Sequence, residues 1–389
     1  MKNQLNFLSL QIEYWDETWQ NRHAFLWELS KIHKVLFLNP PFYIAPLLNK
    51  KLPQRTQMSS GLHIIKENLF CYLYPRFLPY NYRYEKVESV INFFRTKLLR
   101  QIIKKINLFN PIIFIWHPSF YPIIEQFPNS PVIYYKYDNF SGFFDGTNQP
   151  NTQEIKLINR ADFFFVTSQG LYDMHINERP DLHLIPNAVD YEHFENSIKF
   201  SSKIPNEISS IPSPRIGYVG VINEKVDCGL LTMLCKSHPE WSFILIGPIK
   251  IKQKKFINKL NELKQQPNCF FLGRKDGRQI PHYLKGLDVG LMCYHINDWT
   301  YYGYPLKMHE YLACGKPTVS SDLPAVREFS EYVYIAHNLQ EWEHYISKAL
   351  SNINDSSNQE ALMNVAKANS WSVRVNKVMG ILANSSINL

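Results

Sequence analysis

The chain has 389 residues, 45% of them hydrophobic and 14% aromatic, enough for two domains with a core each. Lys and Arg number 42 against 34 Asp and Glu, a formal charge of +8; this mild bias suits an anionic nucleotide substrate or an anionic membrane surface, and solvated lysines account for it equally well. No basic stripe accompanies a nucleic-acid motif, so no nucleic-acid partner is expected, and six scattered cysteines without a Cys-x-x-Cys pair argue against a zinc or dithiol site.

Leu5 to Leu10 reads as a buried first strand. The acidic residues Glu13, Asp16 and Glu17 behind it do not fit a signal peptide, and no apolar run approaches a membrane span, so a cytoplasmic protein is expected. The loop Gln11 to Gln20 carries Tyr14, Trp15 and Trp19, which suit a core, a sugar platform or an acceptor surface; loops at this place in open α/β sheets meet ligands. A helix is predicted over Asn21 to Ile32 and a strand over Val35 to Leu38, stopped by Pro40-Pro41. Short strands follow at His63 to Lys66 and Leu69 to Leu73, and Pro75 to Tyr84 mixes aromatics with arginine. Val87 to Ile106 reads as a helix with Val90, Ile91, Phe94, Leu98, Ile102 and Ile106 at helical steps and Arg95, Lys97, Arg100, Lys104 and Lys105 among them. That pattern fits a helix packed on a sheet, and also a basic amphipathic helix on an anionic membrane.

Strands at Pro111 to Trp116, Val132 to Tyr135, Asp162 to Thr167 and Leu182 to Ile185 alternate with helical or loop segments, which argues for a parallel sheet covered on both faces. Two polar residues stand just past strand ends, His117 and Asp138. Each is either a site residue or a local structural one, Asp138 as a cap on the following turn. Glu195 to Pro214 is polar and repeats Ser and Pro, which reads as a linker. A second α/β series follows, with strands at Arg215 to Val219, Ser242 to Ile246, Cys269 to Leu272, Val289 to Cys293, Thr318 to Ser320 and Tyr332 to Ile335, and closing helices at Gln340 to Leu350 and Val373 to Leu382. Gly220 ends the first of these strands and would let a ligand approach the backbone.

The stretch Tyr301 to Glu328, YYGYPLKMHEYLACGKPTVSSDLPAVRE, combines a loop, a helix, a buried strand and a second helix start. Pro305 stands where a first helical turn begins, and Gly315 terminates the helix. Free N–H groups at such a start can hold a phosphate, and Glu310 is placed either to accept from the two hydroxyls of a ribose or simply to face solvent.

This stretch resembles the donor-binding motif of GT-B glycosyltransferases of the "glycosyl transferases group 1" type, carried by Glu310 and by Ala313-Cys314-Gly315-Lys316-Pro317-Thr318-Val319. The pattern has an earlier glutamate, with seven residues between the two, where this chain has Tyr302. In that respect, and in Pro305-Leu306-Lys307 ahead of the helix, it is similar to a bacterial subgroup of teichuronic acid and envelope-polysaccharide enzymes. RADFFFVTSQGL and IPNAVDYEHF also look like the last strands of a first GT-B domain. The resemblance implies an α/β chain of GT-B type, two Rossmann-like domains facing a cleft. It divides into an acceptor-side domain over 1–195, a linker over 196–214, a donor domain over 215–370 and a last helix, 371–389, returning to the first domain.

The resemblance further implies that Glu310 holds the donor ribose and that Gly220, Lys225, Arg274, Tyr302, Pro305, Leu306 and Lys307 line the donor. The family usually has Gly-Arg after the first strand of the second domain, where this chain has Gly220-Val221, and a lysine a few residues on, one step from Lys225. His117 is expected to touch the sugar and Asp138 to orient the acceptor hydroxyl. The reaction implied is transfer of a sugar from a nucleoside diphosphate to a hydroxyl, with retention, in envelope polysaccharide synthesis. No Asp-x-Asp motif is placed to hold a metal, so neither metal nor cofactor is expected. The partners implied are a nucleotide sugar, a saccharide or lipid-linked saccharide acceptor and the inner face of an anionic membrane. A nucleotide-sugar epimerase and a non-catalytic sugar-binding homologue are the alternatives.

Overall fold

A computed structural model describes residues 4–17, 19–42, 56–80, 85–140, 152–200 and 204–387. The chain divides into two compact units, one of Met1–Thr167, Leu171–Ile185 and Val375–Leu389, the other of Ser168–Gly170 and Pro186–Arg374.

The first unit is built on β1 (Asn6–Leu10), β2 (Lys34–Leu38), β3 (Gly61–Lys66), β4 (Leu69–Leu73), β5 (Ile112–Ile115), β6 (Val132–Lys136), β7 (Phe163–Val166) and β8 (His183–Leu184). They lie in the order β3-β4-β2-β1-β5-β6-β7-β8, all parallel except the β3–β4 hairpin at the edge. The central strands are continuous apolar runs, such as Ile112-Ile113-Phe114-Ile115 and Phe163-Phe164-Phe165-Val166, buried along their whole length. That is the signature of a parallel sheet covered on both faces. The strand order reverses between β1 and β5.

The second unit holds β9 (Arg215–Val219), β10 (Ser242–Ile246), β11 (Cys269–Gly273), β12 (Val289–Met292), β13 (Thr318–Ser321) and β14 (Val333–Ala336). All are parallel, in the order β11-β10-β9-β12-β13-β14, and here the order reverses between β9 and β12. In such sheets the crevice outside the carboxyl ends of the strands at the reversal is where ligands bind.

Two expectations are corrected. The stretch 196–214 is not a bare linker: helices run over Tyr191–Phe200 and Asn206–Ser209, and Phe194, Ile208 and Ile211 are buried in the core of the second unit. The units part near Ile185 and Pro186 rather than at 195. The helix Glu85–Lys105 is also turned from its expected face. It buries Arg95, Thr96, Leu99 and Ile103, while Val90 and Phe94 are 59% and 49% exposed. Arg95 tolerates burial because its guanidinium is satisfied: it pairs with Glu88 at 2.8 Å and donates to the carbonyls of Leu78 and Pro79. Asn81 to Tyr84 of the aromatic and arginine stretch lie outside the described residues.

Candidate functional site

The helix Leu306–Ala313 starts from Pro305, whose extended backbone precedes the first turn without a side-chain cap. It turns Met308, His309, Tyr311 and Leu312 into the core and leaves Lys307 and Glu310 half-buried. Tyr311 reaches the place where β9 and β12 part. Its hydroxyl accepts from the backbone N–H of Val219 at 2.9 Å and lies 3.2 Å from the Leu291 carbonyl, so one phenol joins both strands at the reversal. Gly290 admits the ring, since a Cβ there would stand 2.6 Å from it.

The carboxyl ends of β9, β10 and β11 close in glycines. Gly220, Gly247 and Gly273 have φ of +150°, +151° and +68°, which side chains rarely adopt. They are stitched together: the Gly220 N–H donates to Ile246, and the Gly247 N–H to Gly273. Lys307 lies directly on Gly220, where an added Cβ would come within 1.9 Å of its Cε and 2.6 Å of its Nζ. The ammonium thus sits at the end of β9, 5.7 Å from the Tyr218 ring centroid. Burial alone would lower its pKa, but Tyr294 and the Glu310 carboxylate outweigh that and hold it above the ordinary lysine value. Burial raises the Glu310 carboxyl, with Lys307 pulling the other way. Among the described residues no hydrogen bond or ion pair is found for the Glu310 carboxylate. Such a carboxylate can accept from hydroxyl groups, and the ammonium beside it can meet a negative charge.

The other expected residues are placed less uniformly. Lys225 stands in the loop after β9 with its ammonium 4.1 Å from the Trp299 ring centroid. Its carbonyl accepts from His295, and Asp227, two residues on, caps the helix Cys228–Ser237. Arg274 is exposed behind Gly273 on β11, an edge strand two positions from β9. The structure therefore brings Lys307 and Gly220 together with Glu310, and shows no contact between Arg274 and that group. Tyr302 ends the short helix Asp298–Tyr301, and its carbonyl accepts from Ser168 Oγ at 2.6 Å.

Sequence reasoning missed what anchors this helix. Asn187, buried, donates to the Tyr304 carbonyl at 3.1 Å and fixes the loop that launches it. The Tyr304 hydroxyl lies 2.9 Å from His309 Nε2, and Arg374 donates to the Pro186 carbonyl. Burial, with Arg374 nearby, lowers the His309 pKa to about 3, so its ring is neutral and accepts from Tyr304.

In the first unit His117 follows β5 and caps a short turn. Its Nδ1 accepts from the Ser119 N–H at 3.2 Å, which leaves the proton of the neutral ring on Nε2. Burial, with the charge of Arg22, lowers its pKa to about 4. Asp138 follows β6 and accepts from the N–H of the next residue, Asn139, at 2.9 Å. Arg22 was not anticipated. It is 1% exposed, pairs with Glu13, and lies 3.9 Å from the Tyr137 ring centroid. Of the three loop aromatics, Tyr14 is core, Trp15 packs edge-on to Phe37, and Trp19 is 46% exposed. Among the described residues no group of three or more His, Cys, Asp or Glu is placed to hold a metal ion, and no helix is long and apolar enough to cross a membrane.

The family described as Glycosyl transferases group 1 matches residues 213–352, the stretch that carries the glycine terrace, Lys307 and Glu310. This stretch is a group 1 glycosyl transferase domain. The chain is also 27% identical over 237 residues to a Bacillus subtilis (strain 168) protein, "Putative teichuronic acid biosynthesis glycosyltransferase TuaH"; the match takes in 58% of each chain, so it spans little more than half of that relative's length. Among solved structures, the E. coli trehalose-6-phosphate protein bound with UDP-2-fluoro glucose superposes with a TM-score of 0.67 at 12% identity, over 98% of this chain and all of that one. Anabaena Alr3699/HepE in complex with UDP gives 0.66 at 14%, with the same coverage. At such identities the likeness shows the fold, which is GT-B with two parallel-sheet domains.

Proposed function

We propose that this protein transfers a sugar from a nucleoside diphosphate donor to a hydroxyl of an envelope saccharide or lipid-linked saccharide, with retention, at the inner face of the membrane and without a metal. The observation that carries this reading is the Glu310 carboxylate, which takes no hydrogen bond among the described residues, beside Lys307, seated on Gly220 where the parallel sheet of the group 1 domain reverses. Glu310 accepts from the ribose hydroxyls; Lys307, with Lys225 and Arg274 further out, meets the charge of the diphosphate. Gly220, Pro305, Leu306 and Tyr302 shape the donor side. In the first unit the His117 Nε2–H donates to a sugar hydroxyl and Asp138 orients the acceptor.

The acceptor oxygen attacks the anomeric carbon on the face from which the diphosphate departs. The bond from that carbon to the phosphate oxygen breaks, and the acceptor proton passes to the departing phosphate. No enzyme nucleophile is needed, and the negative charge that grows on the diphosphate is met by the fixed positive groups. The solved neighbours named with UDP and UDP-2-fluoro glucose support a uridine donor.

The test is incubation with a panel of nucleotide sugars. Slow release of nucleoside diphosphate with an unchanged sugar supports a transferase, a changed sugar would make it an epimerase, and neither would make it a binding homologue. Tyr302 in the place of the first glutamate and Val221 in the place of the family's arginine are the observations that favour the last. On the donor side, Glu310→Gln is expected to weaken nucleoside diphosphate binding by about 1–3 kcal/mol, the range for a hydrogen bond to a charged group. Isothermal titration checks it, and an unchanged affinity removes Glu310 from the ribose.

A further inference from the structure

The first unit presents an apolar surface that no residue assigned above uses. On the helix Glu85–Lys105, the stripe left outside begins with Val87, Val90, Phe93 and Phe94, exposed by 47%, 59%, 66% and 49%. Phe77, 78% exposed, stands beside it. Phe77, Leu78, Phe94, Lys97, Leu98 and Gln101 line an open, almost wholly apolar groove of about 450 Å³. Single exposed apolar side chains are ordinary, but large ones gathered round a groove mark a surface that meets something.

The charges on the helix say what that is. Past Phe94 the exposed stripe becomes basic, with Lys97, Arg100, Lys104 and Lys105. From Val87 to Lys105 the only carboxylate is Glu88, and it is engaged by the buried Arg95. From Val87 to Lys105, among the described side chains, the exposed face therefore carries four cations and no free anion. A second copy of this chain seated on it would set those cations against their own kind, which is unfavourable. A surface that combines a diffuse negative charge with an apolar layer behind it matches both halves of the stripe.

We propose that this face docks the first unit onto an anionic lipid surface. The helix is tilted, its amino-terminal half enters the headgroup boundary with Phe77, Phe93 and Phe94, and its carboxy-terminal half rests Lys97, Arg100, Lys104 and Lys105 on lipid phosphates. Arg95, expected from sequence among the membrane cations, has no part in it, since its guanidinium is spent inside the unit. The proposal deepens the membrane part of the function read above. Its test measures lipid binding and not transfer, so the two fail separately.

The experiment is co-sedimentation of the full chain with phosphatidylcholine vesicles, with and without phosphatidylglycerol. The protein is expected to pellet with the anionic vesicles only, and less as salt rises. A Lys97→Gln, Lys104→Gln, Lys105→Gln variant should lose partitioning by roughly a hundred-fold, the product of three lysines near an anionic surface. A Phe77→Ser, Phe93→Ser, Phe94→Ser variant should lose it even at low salt. None of these six side chains is buried, and circular dichroism with unchanged nucleoside diphosphate binding confirms that the variants fold. Equal recovery in the supernatant with both vesicle types overturns the proposal. So does anionic-vesicle binding that survives the serine variant, which would reduce the face to plain charge attraction. A wild-type dimer in sedimentation velocity that the serine variant abolishes would give the face to a second copy instead.

Discussion

Lys307→Met is expected to slow the proposed transfer by about 10²–10³-fold, the usual loss when one preorganised group facing a developing negative charge is removed. Methionine keeps most of the apolar stem that covers Gly220, so packing at the end of β9 is preserved while the ammonium is lost. Nucleoside diphosphate affinity should fall much less than the rate, because the diphosphate gains charge as the glycosyl bond breaks. The same variant should melt within a few degrees of the parent, since Lys307 is half-buried and its main electrostatic neighbours are Tyr294 and Glu310. Gly220→Ala tests the geometry from the other side. Its φ of +150° disfavours any side chain, and the new Cβ meets the lysine stem, so the ammonium must move. Single-turnover rates measured beside titration calorimetry separate chemistry from binding. Normal turnover by Lys307→Met would place the leaving diphosphate elsewhere.

The contrast between what the chain declares and what it conceals follows from the range of the interactions. The central strands could be read because a parallel sheet buries both faces, and runs such as Ser242-Phe243-Ile244-Leu245-Ile246 need no long-range knowledge. The helix at Leu306 was equally open, since Pro305, Gly315 and the spacing of its apolar residues are local signals. The face of Glu85–Lys105 was misread because hydrophobic spacing takes Phe94 for core and Arg95 for surface. Glu88, Asn92 and the carbonyls of Leu78 and Pro79 make the opposite choice favourable. The polar composition of 195–214 likewise hid Ile208 and Ile211, which are enough to bind it to the second core. In the site, Lys307 and Glu310 were named from motif and spacing. Their setting was not: the Tyr311 hydroxyl meets Val219 from 92 residues away, and Asn187 meets Tyr304 from 117. No local pattern carries contacts of that separation, and the positive φ of Gly247 has no signature beyond the glycine itself.

Mild acid should destabilise the protein well before its carboxylates protonate. Three of the buried histidines are held neutral by the donors around them. The Gln20 N–H donates to His23 Nδ1, the Lys136 ammonium lies 2.9 Å from His175 Nε2, and the Tyr304 hydroxyl donates to His309 Nε2. Burial is the main cause that lowers each pKa, from 6.5 to about 4 for His23 and about 3 for His175 and His309. The unfolded chain therefore binds protons below pH 6.5 that the folded chain refuses until pH 3–4. Stability rises with pH across that window and is lost as pH falls through it, by up to about 1.4 kcal/mol per pH unit for each ring. From pH 7.5 to 5.5 the first unit, which holds His23, His175 and also His117 with its pKa lowered to about 4, should lose about 4 kcal/mol, and the second, with His309, about 1 kcal/mol. Against the usual total of about 5–15 kcal/mol for a domain, the first unit should become markedly easier to unfold. Urea unfolding followed at pH 7.5, 6.5 and 5.5 checks this. The first transition should move to lower urea as pH falls, and His175→Gln should flatten that movement, because glutamine accepts from Lys136 without a proton to gain. A midpoint that stays constant from pH 7.5 to 5.5 would mean that these rings take up protons inside the fold, and the neutral networks around His23, His175 and His309 would then be wrong.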